Sequence, residues 1–150
     1  MATDKLKWCG EQNNGIRLIE LKPYLSESYI KESHEILENM FSTKGKWRVI
    51  MAYYACYNAV YALLMRCGIQ CEIHDCTLEL MSLFDFSPSE ITLIRELKDA
   101  RIQSQYYLKE AMLRDEIGVK NFVVRCKVVL NQLDSQKISD IRAELKKVLS

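Results

Sequence analysis

The chain has 150 residues, nearly half of them apolar and about a quarter charged, with a formal net charge of +1. That is the size and composition of one globular domain with enough apolar material for a real core. The near-neutral balance argues against a general binder of nucleic acid or of anionic membranes.

The opening stretch, "MATDKLKWCGEQNNG", lacks the apolar core of a signal peptide, so a cytoplasmic location with reduced thiols is expected. Residues 1–25 read as an arm or a short helix packed on a helical bundle formed by residues 26–150. From Ser26 onward period-3.6 patterns recur and no strand alternation stands out. A first strong helix covers about Ser26 to Phe41, with Pro23 ahead of it as a start signal. Of its polar residues, His34 reads as ordinary surface. "STKGK" is a short polar loop.

The next helix, about Trp47 to Cys67 with Gly68 as its stop, is the most apolar part of the chain. It contains "MAYYACYNAVYALLMRCG". Seventeen residues separate Arg48 from Arg66, which is short of the roughly 20 that span a bilayer. Four tyrosines and a central Asn58 suit a protein interior better than lipid, so no membrane span is expected. A helix apolar on nearly every side belongs in the middle of a bundle. Small residues (Ala52, Ala55, Cys56, Ala59, Ala62) allow close approach of neighbours. Met51, Tyr54, Asn58, Tyr61 and Met65 make a second line, on which the Asn58 amide needs a partner.

Cys67, Cys71, His74 and Cys76 then crowd into ten residues. Four soft ligands could hold zinc, but the spacing matches no common finger or ribbon. Small buried or idle thiols are the plainer reading, with metal and a disulfide as alternatives. A short third helix fits about Cys76 to Phe84, with Asp75 as its cap. "SPSE" is the sharpest local signal: Ser87 as N-cap, Pro88 at the first helical position and Glu90 completing a capping box. It opens a long fourth helix to about Leu113. On that helix Ile94, Leu97, Arg101, Ser104, Leu108 and Ala111 share one face, and Arg101 interrupts an apolar seam. An unpaired guanidinium there would cost several kcal/mol, so it must meet a partner or a cleft. "RDEIG" breaks the helix. A fifth covers about Val119 to Leu133, and a sixth, capped by Ser139, covers Asp140 to Leu149. Arg142, Lys146 and Lys147 read as a solvated face. The sum is an all-α up-and-down bundle of five to six helices around a four-helix core.

"AYYACYNAVYALLMRCGI", then His74 after a short gap, then "LKDARIQSQYY", resembles the HEPN family (higher eukaryotes and prokaryotes nucleotide-binding domain), in particular its small stand-alone prokaryotic and archaeal members. The likeness covers about residues 26 to 133. It implies a bundle that pairs into homodimers. Many members are metal-independent RNases whose signature is an arginine followed, after four to six residues, by a histidine. Small members often accompany a minimal nucleotidyltransferase in a toxin–antitoxin pair.

Arg101 matches the signature arginine, but no histidine follows it anywhere; Tyr106 and Tyr107 stand in that region. RNA cleavage without metal needs a base for the 2′-hydroxyl and an acid for the leaving oxygen, which imidazole supplies near neutral pH. A phenol with a pKa near 10 does so poorly. His74 matches a histidine of similar small members and is expected to cap or pack. The leading expectation is therefore a homodimeric module, non-catalytic or weakly catalytic, that binds a partner such as a nucleotidyltransferase. Asn58, Arg101, Ser104, Tyr106 and Tyr107 would line its cleft, with no cofactor. One variant makes Tyr106 or Tyr107 the acceptor of a nucleotidyl group. The alternatives are an RNase using Arg101 and a bundle binding a nucleotide or small ligand.

Overall fold

A computed structural model describes residues 2–150. In chain order the elements are α1 (Ala2–Glu11), β1 (Arg17–Leu18), α2 (Pro23–Phe41), α3 (Lys46–Arg66), β2 (Ile69–Gln70), α4 (His74–Glu79), a 3-10 turn (Leu80–Leu83), α5 (Pro88–Gln105), α6 (Glu116–Gln132) and α7 (Ser135–Leu149). The fold is an all-α helical bundle. The two strands form one short antiparallel pair, Arg17 opposite Gln70 and Leu18 opposite Ile69.

The core is α3 with α2, α5 and α6 around it. Thirteen of the α3 residues are buried, among them Ala52, Ala55, Ala59 and Ala62. Small side chains here let α2 come close enough for its hydroxyls to reach the α3 backbone. Ser33 Oγ donates to the Ala55 carbonyl at 2.6 Å and Ser26 Oγ to the Ala62 carbonyl at 2.7 Å. The order of these pairs runs opposite along the two helices, so α2 and α3 are antiparallel. No helix among the described residues is long and apolar enough to cross a membrane.

Local chemistry explains most helix ends. The capping box of α5 forms as the sequence demands: the Glu90 amide donates to Ser87 Oγ at 3.2 Å, and the Ser87 amide to Glu90 Oε1 at 2.7 Å. Pro23 is itself the first residue of α2, three positions before the expected start. α3 stops at Gly68, whose φ of +67 is open to glycine; a Cβ there would sit 2.5 Å from the Ile19 carbonyl oxygen. Arg142 Nη1 then donates to the carbonyls of Ile19, Cys67 and Gly68 at 2.8 to 3.0 Å. Arg142 is therefore a cap on the end of α3 and not part of a solvated face.

Four expectations fail for local reasons. α7 begins at Ser135 because Asp134 accepts from the Lys137 amide at 2.8 Å, a stronger cap than Ser139, which lies inside the helix. Asp75 sits within the first turn of α4 and pairs with Lys98 Nζ at 2.8 Å instead of capping. α5 ends at Gln105, not near Leu113. Leu108 takes a positive φ of 54 and is 76 % exposed, so neither Leu108 nor Ala111 continues the buried seam. His34 is half-buried, and its Nε2 is enclosed without a partner.

The N-terminal segment is tied down. Leu6 and Cys9 of α1 are buried in the core cluster that also holds Leu145 of α7. Cys9 forms a disulfide with Cys76 of α4, closing a separation of 67 residues. The expectation that the crowded thiols are idle is thus wrong for Cys76. A loop of that length removes roughly 4 kcal/mol of unfolded-chain entropy. Cys9→Ser should therefore lower the free energy of unfolding by about 2–4 kcal/mol. Urea denaturation of the oxidised wild type beside the variant measures this, and dithiothreitol should bring the wild type down to the variant.

Candidate functional site

Four phenols leave α3, and three of them turn toward α4 and α5. Tyr53 is fully buried and its hydroxyl lies 2.7 Å from His74 Nδ1. Tyr57 stacks on the His74 ring with centroids 4.2 Å apart, and its hydroxyl meets Thr77 Oγ1 at 3.1 Å. Tyr61 accepts the Cys71 amide at 3.1 Å. These partners fix the segment from Cys71 to Thr77, which places His74 against the middle of α3.

Arg101 of α5 arrives on the same rings. It is only 6 % exposed. Its Nη1 donates to the Tyr54 hydroxyl at 3.0 Å, and its guanidinium carbon lies 4.9 Å from the Tyr53 ring centroid and 5.5 Å from that of Tyr54. Tyr106, the C-cap of α5, covers it from outside at 5.7 Å while remaining 64 % exposed. Among the described residues no carboxylate forms an ion pair with Arg101, and its Nε is buried without a hydrogen-bond partner. Such a cation keeps its charge and lacks a counter-ion.

The electrostatics follow from that. Burial, aided by the charges of Arg101 and Lys98, lowers the His74 pKa from its ordinary 6.5. The imidazole is therefore neutral at neutral pH. With the phenol as donor, Nδ1 accepts and the ring proton sits on Nε2. Burial raises the phenols of Tyr53 and Tyr57 far above the ordinary range, so both stay protonated and neither is a base. Hydrogen bonding to Lys98 is the main force holding the Asp75 carboxyl below its usual value.

The residues expected in the cleft separate into three groups. Arg101 and Tyr106 come together. Ser104 is buried but donates to the Ala100 carbonyl at 2.8 Å within its own helix, so it offers no free hydroxyl proton. Asn58 is half-buried and makes no hydrogen bond among the described residues; Arg101 meets Tyr54 in its place. Tyr107 is 65 % exposed and takes no part in the ring contacts around Arg101. The proposed zinc set does not converge: Cys76 is in the disulfide, Cys67 and Cys71 are buried thiols, and His74 faces tyrosines. No group of three metal-ligating side chains is assembled among the described residues. Burial drives the Cys67 thiol up to about 12, which leaves it unreactive.

What the sequence did not reveal is Tyr53 and Tyr57. They sit four apart on one face of α3, and that spacing is the available sign that two hydroxyls need polar partners from one neighbouring segment, here His74 and Thr77. Comparison with family models, with curated proteins and with solved structures finds no match to this chain.

The lowered His74 pKa carries a pH dependence. The folded protein binds fewer protons than the unfolded chain below pH 6.5, so this contribution is complete above that value and is lost as pH falls from there through the lowered folded-state pKa. His34 acts with the same sign, since burial also lowers its pKa. Urea midpoints measured on both sides of pH 6.5 should show wild type losing more stability on acidification than His74→Gln, and the difference isolates His74.

Proposed function

We propose that the chain is a HEPN-like homodimeric module that works by binding, with a minimal nucleotidyltransferase as the kind of partner its resemblance implies. One observation carries this reading. Directly after Arg101's helix the chain presents Tyr106, Tyr107, Leu108, Met112 and Ile117 at 64 to 82 % exposure. Large apolar side chains concentrated in one segment mark an interaction face rather than the usual scatter. A groove of about 630 Å³ runs beside them, lined by Val49, Leu93, Leu97 and Ala100 on one side and Ala111 to Asp115 on the other. The strip is continuous with the Tyr106 cover of the arginine cluster, so a second copy seated on it would bring two such clusters to one interface.

The weakness of the chain as a catalyst supports the same reading. Its buried phenols are not bases, and its arginine is largely covered. A metal-independent RNase remains the second reading because His74 and Arg101 pack against the same two tyrosines, which returns an imidazole to the arginine from another helix.

Light scattering on size-exclusion peaks should give a dimer, and Leu108→Glu with Met112→Glu should give a monomer with an unchanged circular dichroism spectrum. A wild-type monomer at tens of micromolar would remove the homodimer. Co-expression with a minimal nucleotidyltransferase from the same source should yield a co-purifying complex that the double variant weakens. RNA incubated with the pure protein should stay intact; cleavage lost in both Arg101→Ala and His74→Ala would replace binding with catalysis.

A further inference from the structure

A ten-residue helix such as α1 falls short of the roughly 12–15 residues at which helices become even marginally stable alone in water, so α1 exists by what holds it. Its main neighbours are α4 and α7, and of its described side chains only Leu6 and Cys9 are buried. Trp8, its largest side chain, is 46 % exposed. Where α1 ends, the Cys9 carbonyl accepts the Ile16 amide at 3.0 Å. The chain just beyond is fixed independently of the helix. The Asn14 carbonyl accepts the Glu72 amide at 2.9 Å, Ile16 is buried, and β1 pairs with β2. Residues 2–13 are thus a unit with an anchored exit, held to the bundle chiefly by one leucine and by the Cys9–Cys76 bond.

We propose that the Cys9–Cys76 pair is a redox latch: oxidised, it holds α1 against α4 and α7; reduced, it lets residues 2–13 swing away while the rest of the bundle stays folded. The turn at Gln12 to Asn14, where Asn14 has a φ of +62, is the hinge. Opening uncovers apolar surface of α7 at Leu145, which shares a buried cluster with Leu6 and Cys9. The reductant is a dithiol. One of its thiolates attacks a sulfur of the pair to form a mixed disulfide, and its second thiol resolves that intermediate. Two electrons and two protons pass to Cys9 and Cys76, which become thiols, and the reductant leaves as a disulfide. Where thiols are kept reduced the latch is open, and oxidation closes it.

The latch has two defined states because the neighbouring thiols are inert. Cys67 and Cys71 lie in the same buried cluster, and burial raises the pKa of both, so neither supplies the thiolate that would scramble the pair. Opening requires neither a second copy of the chain nor a partner protein.

The test is amide hydrogen exchange on the full chain, once oxidised with glutathione disulfide and once reduced with dithiothreitol. Reduction should lower protection in α1 about tenfold or more, while the amides of α3 stay protected. Trypsin should cut after Lys5 and Lys7 faster by a similar factor in the reduced form. Cys9→Ser should match reduced wild type whether or not dithiothreitol is present, and reoxidising wild type should restore both the protection and the Cys9–Cys76 pairing in a peptide map. Equal protection of α1 in the two states would overturn the proposal. So would loss of protection in α3 together with α1, since the bond would then support the whole fold and latch nothing, and so would reoxidation that joins Cys76 to Cys67 or Cys71. Should Cys9→Ser not fold, reduced wild type decides by the same readings.

Discussion

Burying α3 on all its sides obliges four phenol hydroxyls to find partners inside the protein, and the rest of the polar architecture is arranged around that demand. Each buried hydroxyl left unpaired would cost about 1–3 kcal/mol. The chain meets the demand with groups from two other places. The segment from Cys71 to Thr77 supplies the Cys71 amide, the His74 ring and the Thr77 hydroxyl, and α5 supplies the Arg101 guanidinium. The neighbours of α3 are therefore positioned by hydrogen-bond geometry as well as by shape.

This explains how α4 exists at all. A six-residue helix has too few internal bonds to hold itself. It persists because it is attached at four points. Tyr53 and Tyr57 hold one side, Lys98 takes the Asp75 carboxylate, and Cys9 is joined to Cys76. The covalent attachment sits two residues from His74, so α1 contributes to where the imidazole stands. The N-terminal segment is in this sense part of the site's support.

How much of this was legible depends on whether the cause was local. The capping box at Ser87, the stop at Gly68 and the central place of α3 follow from neighbouring residues and from the absence of a polar face, and all three could be read. The buried seam of α5 could be read as far as Ser104, because Ile94, Leu97 and Arg101 keep helical spacing. Its end could not, since the stretch from Tyr106 to Leu113 has no glycine or proline and still fits a helix; what fails there is burial, with Leu108 and Met112 left exposed. The Cys9–Cys76 pairing was closed to inspection, as six cysteines allow many connectivities. His74 was in view, but its meeting with Tyr53 joins residues 21 apart across a turn, and only the packing of α4 on α3 brings that about.

Arg101 partners the Tyr54 hydroxyl, but it is a costly way to do so. At its place in the seam a leucine would pack beside Ile94 and Leu97 without loss of hydration. The arginine instead gives up the water around its charge, at a cost of several kcal/mol even after relaxation. Contacts with three aromatic rings return about 0.5–2 kcal/mol each, and the bond to Tyr54 returns about 1.5–3 kcal/mol more. That brings the residue close to balance without accounting for Nε, which has lost its water and gained nothing. Nor does any carboxylate among the described residues approach to neutralise it, although Asp75 and Glu79 lie on the adjoining helix and are each held by other cations. The nearby acids are thus drawn to Lys98 and Arg95, and the buried Arg101 guanidinium is left with aromatic rings and one phenol as its partners among the described residues.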